Sequence, residues 1–154
     1  MEIENKMAAL ELTLPAPPTP AAHYIPYVQV GNLLFVGGNT GRLNGQPHKY
    51  VGKVGGQVTL EQGYEMARHC AFNHLAIIKS ALSDLDRVER FVKLIGYVNA
   101  APGFTRMPQV VNGASDVFIE LWGERGEHAR AAVGVASLAN DAPVETEVIV
   151  QIKE

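Results

Sequence analysis

The chain has 154 residues, 47% of them hydrophobic, the size and composition of one domain with one sizeable core. Its formal net charge is −3, and the closest basic group, Arg87, Arg90 and Lys93, is interleaved with Glu89 and apolar residues. That pattern argues against nucleic acid as a partner and gives no attraction to an anionic membrane. A single cysteine, Cys70, excludes an intrachain disulfide. No run approaches the roughly 18 apolar residues of a membrane span, and the start lacks a basic segment followed by an apolar one. These features predict a cytoplasmic protein.

Residues 1 to about 22 read as an N-terminal extension. Leu14-Pro15-Ala16-Pro17-Pro18-Thr19-Pro20 is proline-rich and predicts an extended run across the surface. One compact domain, residues 23–154, follows. Tyr27 to Val30 and Leu33 to Val36 are β-rich runs separated by Gly31-Asn32, a two-residue hairpin signal. Gly37-Gly38-Asn39-Thr40-Gly41 ends the second run, and residues 41–58 are a glycine-rich loop. Thr59 caps a long helix with Glu61 in its first turn. Leu60, Tyr64, Ala67, Cys70, Ala71, His74, Leu75, Ile78 and Leu82 recur at three- and four-residue spacing, which places Cys70 and His74 on a core-facing stripe that ends near Ser83-Asp84.

Val88 to Val98 carries apolar residues on both faces, as a central strand does. A second helix follows from about Arg106 to Trp122, with Met107, Val110, Val111, Ala114, Val117, Phe118 and Leu121 in its stripe and Gly123 as a terminator. Two strands close the chain. One runs through Ala131, Val133 and Val135. In the other, Val144, Thr146, Val148, Val150 and Ile152 alternate with Glu145, Glu147, Ile149 and Gln151. The order β-β-α-β-α-β-β predicts an α+β fold, a mixed sheet with two helices on one face, and leaves the other face to be covered by oligomerisation.

The histidines, His23, His48, His69, His74 and His128, show no metal-ligand spacing, and no phosphate-binding glycine loop or nucleophile elbow occurs. The sequence therefore predicts neither a metal nor a cofactor.

Three segments carry a resemblance. They are Ile25-Pro26-Tyr27-Val28-Gln29-Val30-Gly31-Asn32-Leu33-Leu34-Phe35-Val36-Gly37-Gly38, then Val111-Asn112-Gly113-Ala114-Ser115-Asp116, and finally His128-Ala129-Arg130-Ala131-Ala132-Val133-Gly134-Val135 with Val144-Glu145-Thr146-Glu147-Val148. In this order and spacing the chain resembles the reactive intermediate deaminase (Rid, or YjgF) family, in a longer branch often labelled endoribonuclease L-PSP. The resemblance implies a chorismate-mutase-like subunit, a homotrimer with clefts between subunits, and no cofactor. It further implies hydrolysis of reactive 2-imino and 2-enamino acids, such as 2-aminoacrylate, to 2-keto acids and ammonia.

By the same resemblance Arg130 matches the family's substrate-binding arginine and Glu145 its water-handling glutamate, while Tyr27, Gly37 and Asn112 fall at pocket positions. A guanidinium offers two parallel donors to a carboxylate, so Arg130 suits a clamp for a small carboxylate metabolite. Glu145 on the polar side of a strand suits a base that positions water. Plainer roles stand beside these: an intersubunit salt bridge for Arg130, a solvated strand face for Glu145, hairpin packing for Tyr27 and loop orientation for Asn112. One departure stands out. The deaminases carry a serine where this chain has Gly37, so a non-catalytic carboxylate-binding module is the alternative to an enzyme, and an endoribonuclease is a third.

Overall fold

In a computed structural model of the chain, which describes residues 1–153, the expected hairpin forms from β1 (Tyr27–Val30) and β2 (Leu33–Asn39). The strands are antiparallel with Val28 opposite Phe35, and Gly31 turns at φ +58°, a conformation costly for residues with a Cβ. Next come α2 (Leu60–Leu82), β3 (Val88–Asn99), α3 (Met107–Trp122), β4 (Ala129–Val135) and β5 (Val144–Ile152). The five strands form one sheet in the order β1-β2-β5-β3-β4. Only β4 runs parallel to its neighbour, β3, which lies inside the sheet as its two-faced apolar pattern predicts.

Local chemistry sets the helix limits. Thr59 Oγ1 accepts from Gln62 N–H at 3.1 Å while Gln62 Oε1 accepts from Thr59 N–H at 2.9 Å, a reciprocal cap. Ser83, in the left-handed region at φ +67°, stops α2. Both helices lie on one face of the sheet. Gly113 of α3 permits their close crossing, since a Cβ there would fall 2.0 Å from the Tyr64 carbonyl oxygen of α2. Phe91 of β3 stacks on Phe118 of α3, ring centroids 4.1 Å apart, at the centre of the core.

The N-terminal residues add an element beyond the predicted ones. Glu2–Ala9, for which the sequence predicted no element, form a helix, α1, and Ile3 and Met7 are buried in the main core. The Asp86 carboxylate accepts the backbone N–H groups of Glu2 at 2.6 Å and Ile3 at 2.8 Å, and so caps α1 from a distant turn. The apolar pair at i and i+4 is a one-face signal that the prolines downstream obscured. Residues 12 to 20 do run without regular structure.

Among the described residues no helix covers the sheet face opposite α2 and α3. Val28, Val30, Phe35 and Val133 lie there at 49%, 61%, 41% and 42% exposure. Among the described residues no helix is long and apolar enough to cross a membrane.

Candidate functional site

Arg130 stands near the start of β4, opposite the fully buried Leu94 of β3. Directly paired residues share a sheet face, so its side chain runs toward α3. There Nη1 donates to Asn112 Oδ1 at 2.7 Å and to Ser115 Oγ at 3.1 Å, and Nη2 donates to the Pro108 carbonyl at 3.3 Å. Asn112 and Ser115 are three residues apart and share one face of α3. No carboxylate among the described residues lies within ion-pair distance of Arg130. Two of its five N–H groups, Nε–H and one on Nη2, make no hydrogen bond among these residues. Those on one edge of a guanidinium match the two oxygens of a carboxylate.

A second layer holds this arrangement. His128 Nδ1 lies 2.6 Å from the Gly126 carbonyl and its Nε2 lies 2.9 Å from Ser115 Oγ. The carbonyl can only accept, so Nδ1 carries the proton, Nε2 accepts from the Ser115 hydroxyl, and that oxygen is left to accept from Arg130. A neutral imidazole fits every contact. Burial, and then the Arg130 charge, hold the His128 pKa below its ordinary value, against the pull of the Gly126 carbonyl.

Glu145 is the first polar position of β5 and pairs with Tyr97 of β3, which puts it on the face away from Arg130. It is half-buried. Burial first, and the neighbouring Glu147 second, raise its pKa, the direction that makes a carboxylate a stronger base. Its carboxyl carbon lies against Gly38, where a Cβ would sit 3.2 Å away. Gly37 and Gly38 border a cavity of about 550 Å³ that also contains Glu145, while Gly37 and Tyr27 border a second, of about 290 Å³, with Phe35 and Glu147.

Within the chain the predicted residues thus form two groups. Arg130 and Asn112 touch; Gly37 and Glu145 border one cavity, with Glu145 on the other face of the sheet, while Tyr27, paired with the buried Val36, lies on the helix side and packs against the core. The Gly37 N–H donates to the Pro26 carbonyl at 2.9 Å. Its amide is therefore committed to the hairpin, and Gly37 contributes space rather than a donor. Sequence reasoning passed over Ser115 as a partner of Arg130, and His128 behind it; the signal available was the i, i+3 spacing of Asn112 and Ser115. His74 is buried, as its stripe position implies, and its Nε2 lies 2.8 Å from Thr146 Oγ1, next to Glu145. Cys70 is fully buried and burial pushes its thiol up to about 12, so it is inert at neutral pH. One acidic trio, Glu4, Asp84 and Asp86, gathers oxygens within 4.8 Å among the described residues, but its Asp86 is spent on docking α1.

Fold and sequence agree with known proteins along nearly the whole chain. Residues 4–143 match the family described as "YjgF/chorismate mutase-like, putative endoribonuclease". Protein TCP17 of Trypanosoma cruzi is 42% identical over 151 residues, covering 97% of this chain and 94% of its own length. The crystal structure of Atu1372 from Agrobacterium tumefaciens is 40% identical, covers 99% of this chain and 94% of its own, and superposes with a TM-score of 0.90. A Shewanella oneidensis protein, described as a putative endoribonuclease, is 27% identical, with 99% and 100% covered and a TM-score of 0.94. The chain is a member of the YjgF/chorismate mutase-like family, with the family's mixed-sheet fold.

Proposed function

We propose that this protein hydrolyses small 2-imino and 2-enamino acids, such as 2-aminoacrylate, to 2-keto acids and ammonia, in clefts between the subunits of a homotrimer. The observation that carries the reading is Arg130: a guanidinium fixed by three neutral acceptors, with no carboxylate partner among the described residues and N–H groups to spare. A half-buried cation without a counter-ion is costly, and an incoming carboxylate removes that cost. Asn112 and Ser115 orient the fork. Glu145, its basicity raised by burial, directs water at the imine carbon. The water oxygen bonds to that carbon while a proton moves from the water to nitrogen, giving a carbinolamine. Its C–N bond then breaks, nitrogen takes the hydroxyl proton and leaves as ammonia, and the oxygen remains as the carbonyl. Tyr27 and the space at Gly37 border the reacting end of the substrate.

A single subunit keeps Arg130 and Glu145 on opposite faces of its sheet, so a working site draws them from two chains. The uncovered apolar face, with Val28, Phe35 and Val133, supplies the surface for that assembly. A second reading, a carboxylate-binding module without turnover, draws on Gly37, which lacks the hydroxyl the deaminases place there. The endoribonuclease description of relatives finds less support here, because the chain is acidic and lacks a basic stripe.

The test supplies 2-aminoacrylate from a dehydratase and times the release of pyruvate. The protein is expected to accelerate it, Arg130→Ala to abolish the acceleration, and Glu145→Gln to lower turnover while 2-keto acid binding persists. Binding without acceleration would select the second reading. Neither binding nor acceleration would remove both.

A further inference from the structure

Asn-Gly occurs twice in the chain, at Asn44-Gly45 and Asn112-Gly113. In this pair the main-chain nitrogen attacks the preceding side-chain amide with least hindrance, because glycine has no Cβ to block the approach. The fold treats the two copies differently. Asn112-Gly113 lies inside α3: the helix ladder takes the Gly113 N–H, Asn112 Oδ1 holds Arg130 at 2.7 Å, and the Tyr64 carbonyl crowds Gly113. Asn44 and Gly45 are the central residues of an exposed turn, at φ +52° and +69°, closed by the Gln46 N–H on the Leu43 carbonyl at 3.0 Å. The Gly45 N–H makes no hydrogen bond among the described residues, and nothing lies within 4 Å of where a Gly45 Cβ would be. The Arg42 guanidinium, which donates to the Gly45 and Gln46 carbonyls at 2.9 and 3.1 Å, sets a positive charge beside the turn and favours an anionic attacking nitrogen.

Asn44 is also a fastener. Its Oδ1 accepts the Ala16 N–H at 2.8 Å, a hydrogen bond that ties the proline-rich run to this turn. Asn44, Pro17, Pro18 and Pro20 border the cavity beside Glu145, so the bond holds one of its walls.

We propose that Asn44 is a site of spontaneous deamidation and backbone isomerisation, and that the isoaspartate formed there unfastens the proline-rich run. The Gly45 nitrogen loses its proton to solvent hydroxide and bonds to Asn44 Cγ. The Cγ–Nδ2 bond breaks, that nitrogen takes a proton from water and leaves as ammonia, and a five-membered imide closes. Water then opens the imide at either carbonyl. Opening at Cγ gives aspartate, whose carboxylate still reaches the Ala16 N–H. Opening at the former main-chain carbonyl leaves Cγ joined to Gly45, so the main chain runs through Cβ and is longer by that atom. The oxygen that accepted from Ala16 is then a main-chain carbonyl oxygen, and a peptide plane rather than a side-chain rotamer decides where it points.

The full chain is incubated at pH 8 and 37 °C and followed by peptide mapping with mass spectrometry, which tells asparagine from its acidic products and isoaspartate from aspartate. In the folded protein Asn44 is expected to convert at least about tenfold faster than Asn112, because freeing Gly113 requires opening α3. In concentrated urea the two are expected to convert at similar rates, which assigns the difference to the fold. Asn44→Gln should abolish the fast reaction, since its longer side chain closes a six-membered ring poorly. The isoaspartate form, separated by ion exchange, is then compared by hydrogen exchange. Its Ala16 amide should exchange about tenfold faster than in the unmodified chain, the worth of about one hydrogen bond, whereas Asn44→Asp should leave that amide at least as protected. Conversion of Asn44 no faster than that of Asn112 in the folded protein would overturn the proposal, and so would an Ala16 amide equally protected in the isoaspartate form.

Discussion

Acid will unfold this protein in part through His74. The ring is fully buried on α2; Asn39 Nδ2 lies 3.1 Å from its nitrogens, and Nε2 meets Thr146 Oγ1 at 2.8 Å. A ring that accepts from Asn39 on one nitrogen and donates to Thr146 from the other is satisfied when neutral. A second ring proton would point at an amide that can only donate. Burial lowers the pKa from 6.5 to about 3. The folded-state value lies below the unfolded one, so the unfolded chain binds the proton first. The stabilisation is complete above pH 6.5 and is lost as pH falls toward 3. Each pH unit in that window removes about 1.4 kcal/mol, or about 2 kcal/mol between pH 6.5 and 5, a large share of a typical domain's 5–15 kcal/mol. The assay is urea unfolding followed by circular dichroism at pH 7.5, 6 and 5 and fixed protein concentration, on the unmodified chain and on His74→Gln. Glutamine can make both contacts and does not titrate. Burial also lowers His48, His69 and His128, but they are common to both proteins and cancel in the difference. His74→Gln is expected to have the flatter profile; parallel profiles would refute the reasoning.

Three further substitutions probe the site and its frame. Ser115→Ala removes one acceptor from Arg130 and the hydroxyl that serves His128 Nε2, and should weaken 2-keto acid binding about tenfold by calorimetry with the circular dichroism spectrum unchanged. Gly37→Ser is expected to leave the melting temperature unchanged, because a Cβ there meets only the Pro26 carbonyl oxygen at 3.5 Å, and to raise turnover of 2-aminoacrylate by restoring a hydroxyl. Gly113→Ala puts a Cβ 2.0 Å from a backbone oxygen that cannot swing aside, so its cost in chemical denaturation should reach or pass the upper end of the roughly 1–3 kcal/mol usual for overpacking.

Much of the fold was legible because its signals are local. Alternation along Val144 to Ile152 matches the burial of β5 residue by residue, and Thr59, Ser83 and Gly123 mark helix limits through their own backbone chemistry. The N-terminal helix was not legible: two buried side chains, Ile3 and Met7, make a weak periodic signal, and the distant Asp86 that caps it cannot be found from neighbouring residues. The site divides the same way. Arg130 and Asn112, from two separate motifs, are joined by a hydrogen bond. The chain of contacts through Ser115 to His128 depends on how α3 crosses β4, and the commitment of the Gly37 amide depends on the hairpin closing on Pro26, neither of which spacing along the chain reveals.

Placing Arg130 and Glu145 on opposite sides of one sheet has a genetic consequence. If both serve one reaction, each polypeptide contributes half of two different centres. Two inactive alleles, one altered at each position, would then repair one another when their products mix. With random mixing and a ring of identical interfaces, about a quarter of the centres would carry both intact groups. Loss at either position alone would be recessive to its complement.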